Sequence, residues 1–308
     1  MEQTKQKRDV HREVTAHIVA AIERGAPKFE MPWHRAGTDL TEPVNAKTGK
    51  AYRGINTLTL WASASAQSFL SGHWATYRQW QALDAQVMKG ERASLIVFYK
   101  ELKREVRDET TGEEKEQRFR MAHASWVFNA DQVEGWRAPV LSDHNPVQAI
   151  EEVEAFVAAT GATIRHGGGQ ACYVPSVDLI RMPERKRFTG SATSSVTEGY
   201  YATLLHELTH WTAHDERLKR NLSGRFGSEA YAVEELVAEL GAAFLCAELS
   251  ITNHPREDHA AYVASWLKVL KSDSRAIFTA AGKASAAARF LARFREEEKR
   301  PRKLPIPI

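Results

Sequence analysis

The segment 195–215, SVTEGYYATLLHELTHWTAHD, constrains this chain more than any other. Ser195 with Glu198 three residues on is a capping box, in which each side chain satisfies a backbone N–H that the first helical turn leaves without a partner. A helix therefore starts here. Leu204, Leu205, Leu208 and Trp211 recur at the intervals of a helix face turned toward a core. On the same helix His206 and His210 stand about one turn apart, so both imidazoles project from one side. Two neutral imidazole nitrogens at this spacing reach one zinc ion at about 2.0–2.1 Å. Glu207 lies one position round, where a carboxylate polarises a water without ligating the metal and passes its proton to a leaving amine. His214 continues the stripe, but it lies about 12 Å along the axis from His206 and cannot share an ion with both other histidines. With Asp215 it is read as the helix end.

A third ligand must come from elsewhere. The segment 230–245, AYAVEELVAELGAAFL, is helical and apolar enough to be buried, yet it carries Glu234, Glu235 and Glu239. Carboxylates on a buried helix need a cation or hydrogen-bond partners. Glu235 and Glu239 share a face, an arrangement that offers one metal ligand and one carboxylate to hold the second ring nitrogen of a ligand histidine. Glu234 becomes the ligand if the register shifts by one.

HELTH followed by ExxxE on a later helix resembles the gluzincin metallopeptidases, a branch of the zincins. The resemblance implies Zn2+ as the cofactor and Glu207 as the catalytic residue. It also implies His206, His210 and Glu235 as metal ligands, with Glu239 orienting a histidine behind them. Zincins place an edge strand beside the site to pair with an extended substrate, and ACYVPSVDLIRMP is the candidate. Tyr173 and Tyr231 are candidates for stabilising an oxyanion.

Around this helix the chain divides into strands followed by helices, an α+β pattern. Residues 8–25 read as an amphipathic helix with Val10, Val14, Ile18 and Ile22 at intervals of four. A turn-rich stretch leads to helices over 57–70 and from Thr76, then to the strands SLIVFYK and ASWVFN. The charged segment 101–120 between them is a solvated β-excursion with its tip at Thr110–Gly112. Pro139, Asp143, Asn145 and Pro146 mark a boundary. Beyond it come a helix over 147–159, a small antiparallel sheet from ATIRH, ACYVP and VDLIRMP, and almost continuous helix from 195. Two domains are expected, 1–140 (mixed α/β) and 141–300 (mostly helical), with a loose tail at 301–308. With 308 residues each is large enough to bury a core. No apolar run approaches the ~20 residues that cross a bilayer. The two cysteines, Cys172 and Cys246, make no disulfide framework, and both are expected to be small buried residues of a cytoplasmic protein.

The first hundred residues hold 14 Lys and Arg against 9 Asp and Glu, whereas the remainder holds 28 against 30. This basic half interleaves aromatic and basic residues in KTGKAYRGIN, HWATYRQW and MKGER. Trp74 and Tyr77 as stacking faces, with Lys47, Lys50, Arg53, Arg78, Lys89 and Arg92 for phosphates, are what sequence-tolerant binding of single-stranded DNA requires. Taken singly, each aromatic is better accounted for by core packing. As a set, the block from Asn45 to Asn56, the block from Trp74 to Trp80, the HELTH helix and HAAYVASWLKVLKSDSRAIFTAAGKASAA resemble the ArdC antirestriction proteins of conjugative plasmids. That resemblance spans nearly the whole chain. It implies an N-terminal single-stranded-DNA-binding domain, shared with TraC-type primases, joined to a zincin-like metallopeptidase domain. Protection of incoming plasmid DNA and an unidentified protein substrate follow from the resemblance alone.

Overall fold

A computed structural model describes residues 9–25, 42–107, 114–137, 146–167, 169–188, 195–222, 229–251 and 259–298. Of the expected boundary near 138–146 only Pro146, the first residue of a helix, is described; the hairpin tip and the tail lie outside these residues. The first half runs α1 (Val10–Gly25), β1 (Val44–Asn45), α2 (Ile55–Gln67), β2 (His73–Ala75), α3 (Tyr77–Gln81), β3 (Gln86–Val87), β4 (Ser94–Arg107), β5 (Glu114–Asn129) and β6 (Val133–Glu134). The second runs α4 (Pro146–Ala159), β7 (Thr163–His166), β8 (Cys172–Val174), β9 (Leu179–Met182), α5 (Val196–Trp211), α6 (Glu229–Glu248), α7 (His259–Ser272) and α8 (Ala276–Glu298). This is the α+β order the sequence implies.

Strands β4 and β5 pair without interruption from Ser94↔Val127 to Arg107↔Glu114, so the charged excursion is a long antiparallel ladder. With β2 and β1 they form a four-stranded sheet in the order β1-β2-β5-β4. The helix expected from Thr76 is short. Thr76 and Gln79 cap its start reciprocally, but it stops at Gln81, and Asp84 at φ 55 turns the chain into β3. The C-terminal sheet, order β7-β9-β8, is mixed rather than wholly antiparallel, because β9 inserts between the two earlier strands. It runs antiparallel to β8 across a tight turn and parallel to β7.

Two cores meet on α6. Val14, Ile18 and Ile22 of α1 and Leu58 and Trp61 of α2 pack with Leu236 and Leu240 of α6, Trp266 of α7 and Ile277 of α8. On the other side Ala242, Leu245 and Cys246 of α6 pack with Leu204, Leu205 and Leu208 of α5, Ile180 and Met182 of β9, and Phe156 of α4. A helix buried on both sides has to be apolar nearly all round, which explains the composition of α6. It also ties the N-terminal helices to the back of the helix that carries the acidic cluster. Cys246 is buried as expected, whereas Cys172 is exposed on β8 at the sheet edge. Among the described residues no helix is long and apolar enough to cross a membrane.

Gly241 sets the approach of α6 to α5. A Cβ there would lie 2.5 Å from Thr209 Cγ2 and 2.7 Å from its Oγ1. Thr209 is fully buried and its hydroxyl donates to the Leu205 carbonyl, so it has nowhere to retreat. Gly241→Ala is therefore expected to destabilise the fold by about 1–3 kcal/mol, as overpacking does. Adding Thr209→Ala should recover part of the loss, which denaturant unfolding of both variants would measure.

Candidate metal centre

The capping box predicted at the start of α5 is formed: Glu198 N donates to Ser195 Oγ at 3.2 Å and Ser195 N to Glu198 Oε2 at 2.8 Å. The helix then carries His206 and Glu207 into the interior, at 4% and 3% exposure, with His210 half-buried one turn on. Helix α6 lies across it and turns Glu234, Glu235 and Glu239 toward the same place, all buried. His206, His210 and Glu235 each offer one donor atom, and these atoms lie within 4.8 Å of one another. Glu235 Oε2 is 3.5 Å from His206 Nε2, and its Oε1 is 3.6 Å from His210 Nε2.

The other two carboxylates stand behind the histidines. Glu239 Oε2 is 3.6 Å from His206 Nδ1, and Glu234 Oε1 is 3.3 Å from His210 Nδ1. Glu234 thus faces the rear nitrogen of His210, not the side shared with Glu235. Two imidazole nitrogens and one carboxylate, each ring backed by a further carboxylate, match the donor set and outer shell of a catalytic zinc site. The residues present fit a divalent cation. Burial alone would raise the Glu235 pKa, but the hydrogen bond with His206, the electrostatic interaction with both rings and the hydrogen bond with Tyr231 outweigh it and hold the carboxyl down at about 2. Glu235 is anionic before any ion arrives. Tyr231, considered above for an oxyanion, is thereby a partner of Glu235.

Glu207, next to His206 on α5, reaches β8 with one oxygen: its Oε2 accepts the Tyr173 backbone N–H at 2.8 Å. The predicted edge strand therefore does lie beside the site, and β8 pairs with β9 alone among the described strands. Tyr173 is otherwise occupied: its hydroxyl donates to Asp178 at 2.8 Å and accepts from Arg217 at 3.1 Å. The Arg217 guanidinium also sits over the Trp211 ring at 3.7 Å, fastening β8 to the turn after α5. His214 lies in that turn, where its Nδ1 accepts Glu216 N at 3.2 Å, as a helix-end residue would.

Sequence reasoning missed Arg220. Its Nη2 donates to Glu234 Oε1 at 2.9 Å and to the Thr209 carbonyl at 2.7 Å, and its Nη1 donates to Thr212 at 2.7 Å. Both members of this ion pair are buried, with side chains 5% and 10% exposed. The only signal was indirect, since three carboxylates on one apolar helix demand a cation somewhere. Arg220→Met would strand the Glu234 carboxylate and is expected to cost about 3–5 kcal/mol. Adding Glu234→Leu should restore much of it; urea unfolding midpoints of the single and double variants check this.

In the N-terminal half, Lys47, Lys50, Arg53, Tyr77, Arg78, Lys89 and Arg92 are exposed. Trp74 is not. At 1% exposure it is packed edge-on to Phe69 with rings 5.9 Å apart, so it is a core residue and no base reaches it. Trp61 and Trp80 are buried likewise. Asn45 fastens the two sequence blocks together, its Nδ2 donating to Tyr52 Oη at 3.0 Å and to Gln79 Oε1 at 3.1 Å. Arg53 instead lines a shallow cleft with Glu42, Glu248 and Arg289.

Comparison with known proteins covers both halves. Residues 8–128 match the family described as the N-terminal domain of anti-restriction factor ArdC, and residues 151–283 match the zincin-like metallopeptidase family. An uncharacterized protein, y4eC of Sinorhizobium fredii, is 49% identical over 90% of this chain and 89% of its own length. A DNA primase TraC of Escherichia coli is 37% identical over 95% of this chain, which spans only 28% of that primase. Among solved structures, the metal-free antirestriction ArdC protein from the R388 plasmid is 40% identical, with a TM-score of 0.74 over 95% of this chain and 100% of that one. The Mn(II)-bound structure of the same protein superposes with a TM-score of 0.71 at 37% identity over 93% of this chain and 98% of that one.

Proposed function

This chain belongs to the ArdC family of antirestriction proteins, and on that premise we propose that it binds single-stranded DNA with its N-terminal half and cleaves a protein substrate at a zinc site in its C-terminal half. Acting in the cytoplasm, it protects incoming plasmid DNA during conjugation. The observation that carries the peptidase part is the convergence of His206, His210 and Glu235 beside a buried Glu207. In this reading those three hold the ion, while Glu239 and Glu234 fix the orientation of the two rings. When bound, the ion supplies Lewis acidity to a water and to a scissile carbonyl. Glu207 takes the proton of the attacking water and delivers it to the leaving amine nitrogen. The Tyr173 N–H holds that carboxylate in one orientation, and the open edge of β8 receives the substrate backbone.

A second reading has a specific observation behind it. The same hydrogen bond occupies one Glu207 oxygen, and the side chain is almost fully buried, as suits a structural or vestigial site in a protein that protects DNA without proteolysis. Restriction protection by Glu207→Gln separates the two: full protection by the variant rules out the protease-dependent form.

The DNA part rests on exposed basic and aromatic side chains, with Arg78 in α3 and Lys47 and Lys50 in the turn that Asn45 ties to it. Binding of an oligothymidine should weaken as salt rises, by roughly 0.7 log units per log unit of salt for each phosphate contacted. Lys47→Ala with Lys50→Ala should lower affinity and reduce that slope by about one to two. Absence of binding even at low salt would exclude the reading.

A further inference from the structure

Every described tryptophan is buried or half-buried except Trp126, which is 43% exposed on β5. Its cross-strand partner Leu95 is in the core, so Trp126 stands where a covered sheet face emerges into solvent. Phe128 is two residues on and shares its face, about 6.7 Å away by the rise of a strand. The Tyr77 ring follows 6.4 Å from Phe128, in an edge-on contact, and is 42% exposed. Tyr77 and Phe128 are thus in ring contact, and Trp126 is the next side chain along the same strand face. The Phe128–Tyr77 pair is held from behind, because buried Trp80 donates its Nε1–H to the Phe128 carbonyl at 3.1 Å and Gln86 donates to Tyr77 Oη at 3.2 Å.

Cations flank these rings. Arg78 follows Tyr77 in α3, and Asn45 ties to that helix the turn that carries Lys47 and Lys50. Between residues 42 and 92 six basic residues stand against three acidic ones. Two exposed rings, Trp126 and Tyr77, on either side of a half-buried Phe128 and beside such a basic patch suit an anionic polymer with unpaired bases. A duplex keeps its base faces inside its own stack, whereas a single strand can turn them onto aromatic side chains.

We propose that Trp126 and Tyr77, with Phe128 between them, are the base-stacking platform for single-stranded DNA. The assignment rests on the DNA-binding reading above and places stacking on Trp126, Phe128 and Tyr77 instead of the buried Trp74. The test is fluorescence anisotropy of a labelled oligothymidine with the full chain and with Trp126→Ala, Tyr77→Ala and Trp126→Phe. Each alanine change is expected to weaken binding about 5- to 150-fold, the range corresponding to loss of one stacked base. The salt slope should stay that of the wild type, because no phosphate contact is lost, and Trp126→Phe should recover most of the affinity. Melting temperatures of the variants should match the wild type, since both side chains are exposed. If the wild type binds and both alanine variants bind equally well, the platform is wrong while DNA binding stands. If the wild type fails to bind at low salt, both fail.

Discussion

Glu207→Gln is expected to lower proteolysis by a factor of about 10²–10⁴, the contribution of a positioned general base, while metal content stays unchanged. Glutamine keeps the volume and can still accept the Tyr173 N–H at one oxygen, so the buried contact survives. What it loses is the ability to take a proton. The loss should appear in kcat with little change in KM, because the group acts on the water and leaving amine, not on substrate binding. Equal turnover by variant and wild type would transfer the base role to another residue. Stoichiometric metal in an otherwise inactive variant would separate chemistry from site assembly. The assay is cleavage of an unfolded protein, with elemental analysis of the same preparations.

Glu235→Ala is expected to remove metal binding altogether, because only two neutral imidazoles would remain on the shared side of the site. A ligand that binds only the native state at a thousandfold excess over its Kd stabilises it by about 4 kcal/mol. Added zinc should therefore raise the melting temperature of the wild type and leave Glu235→Ala unmoved. Glu239→Ala should behave differently. It stands behind His206 Nδ1 and not among the converging atoms, so metal is retained with affinity about 10- to 100-fold weaker. If Glu239→Ala lost the ion and Glu235→Ala kept it, the two roles would be exchanged.

How much of this was legible depended on the range of the physics. His206, Glu207 and His210 are set by helix geometry over one turn, and the capping box at Ser195 fixed the helix that carries them. Glu235 was visible because a carboxylate in an apolar helix is anomalous. Arg220 was not, since it reaches Glu234 from an irregular turn where no periodicity speaks. Interleaved aromatic and basic residues marked the N-terminal half, but strand alternation says only that neighbouring side chains face opposite ways. Which face helices cover is decided by tertiary packing, and so Trp74 went to the core and Trp126 to the surface. The parallel pairing of β7 with β9 was equally hidden, because three short strands in succession leave their spatial order open.

The most direct test is anomalous diffraction at the zinc edge from crystals of the zinc-loaded protein. One peak per chain is expected, at about 2.0–2.2 Å from His206 Nε2, His210 Nε2 and a Glu235 oxygen, with Glu207 outside the coordination sphere. A peak elsewhere in the chain, or none at these three residues, would contradict the metal centre.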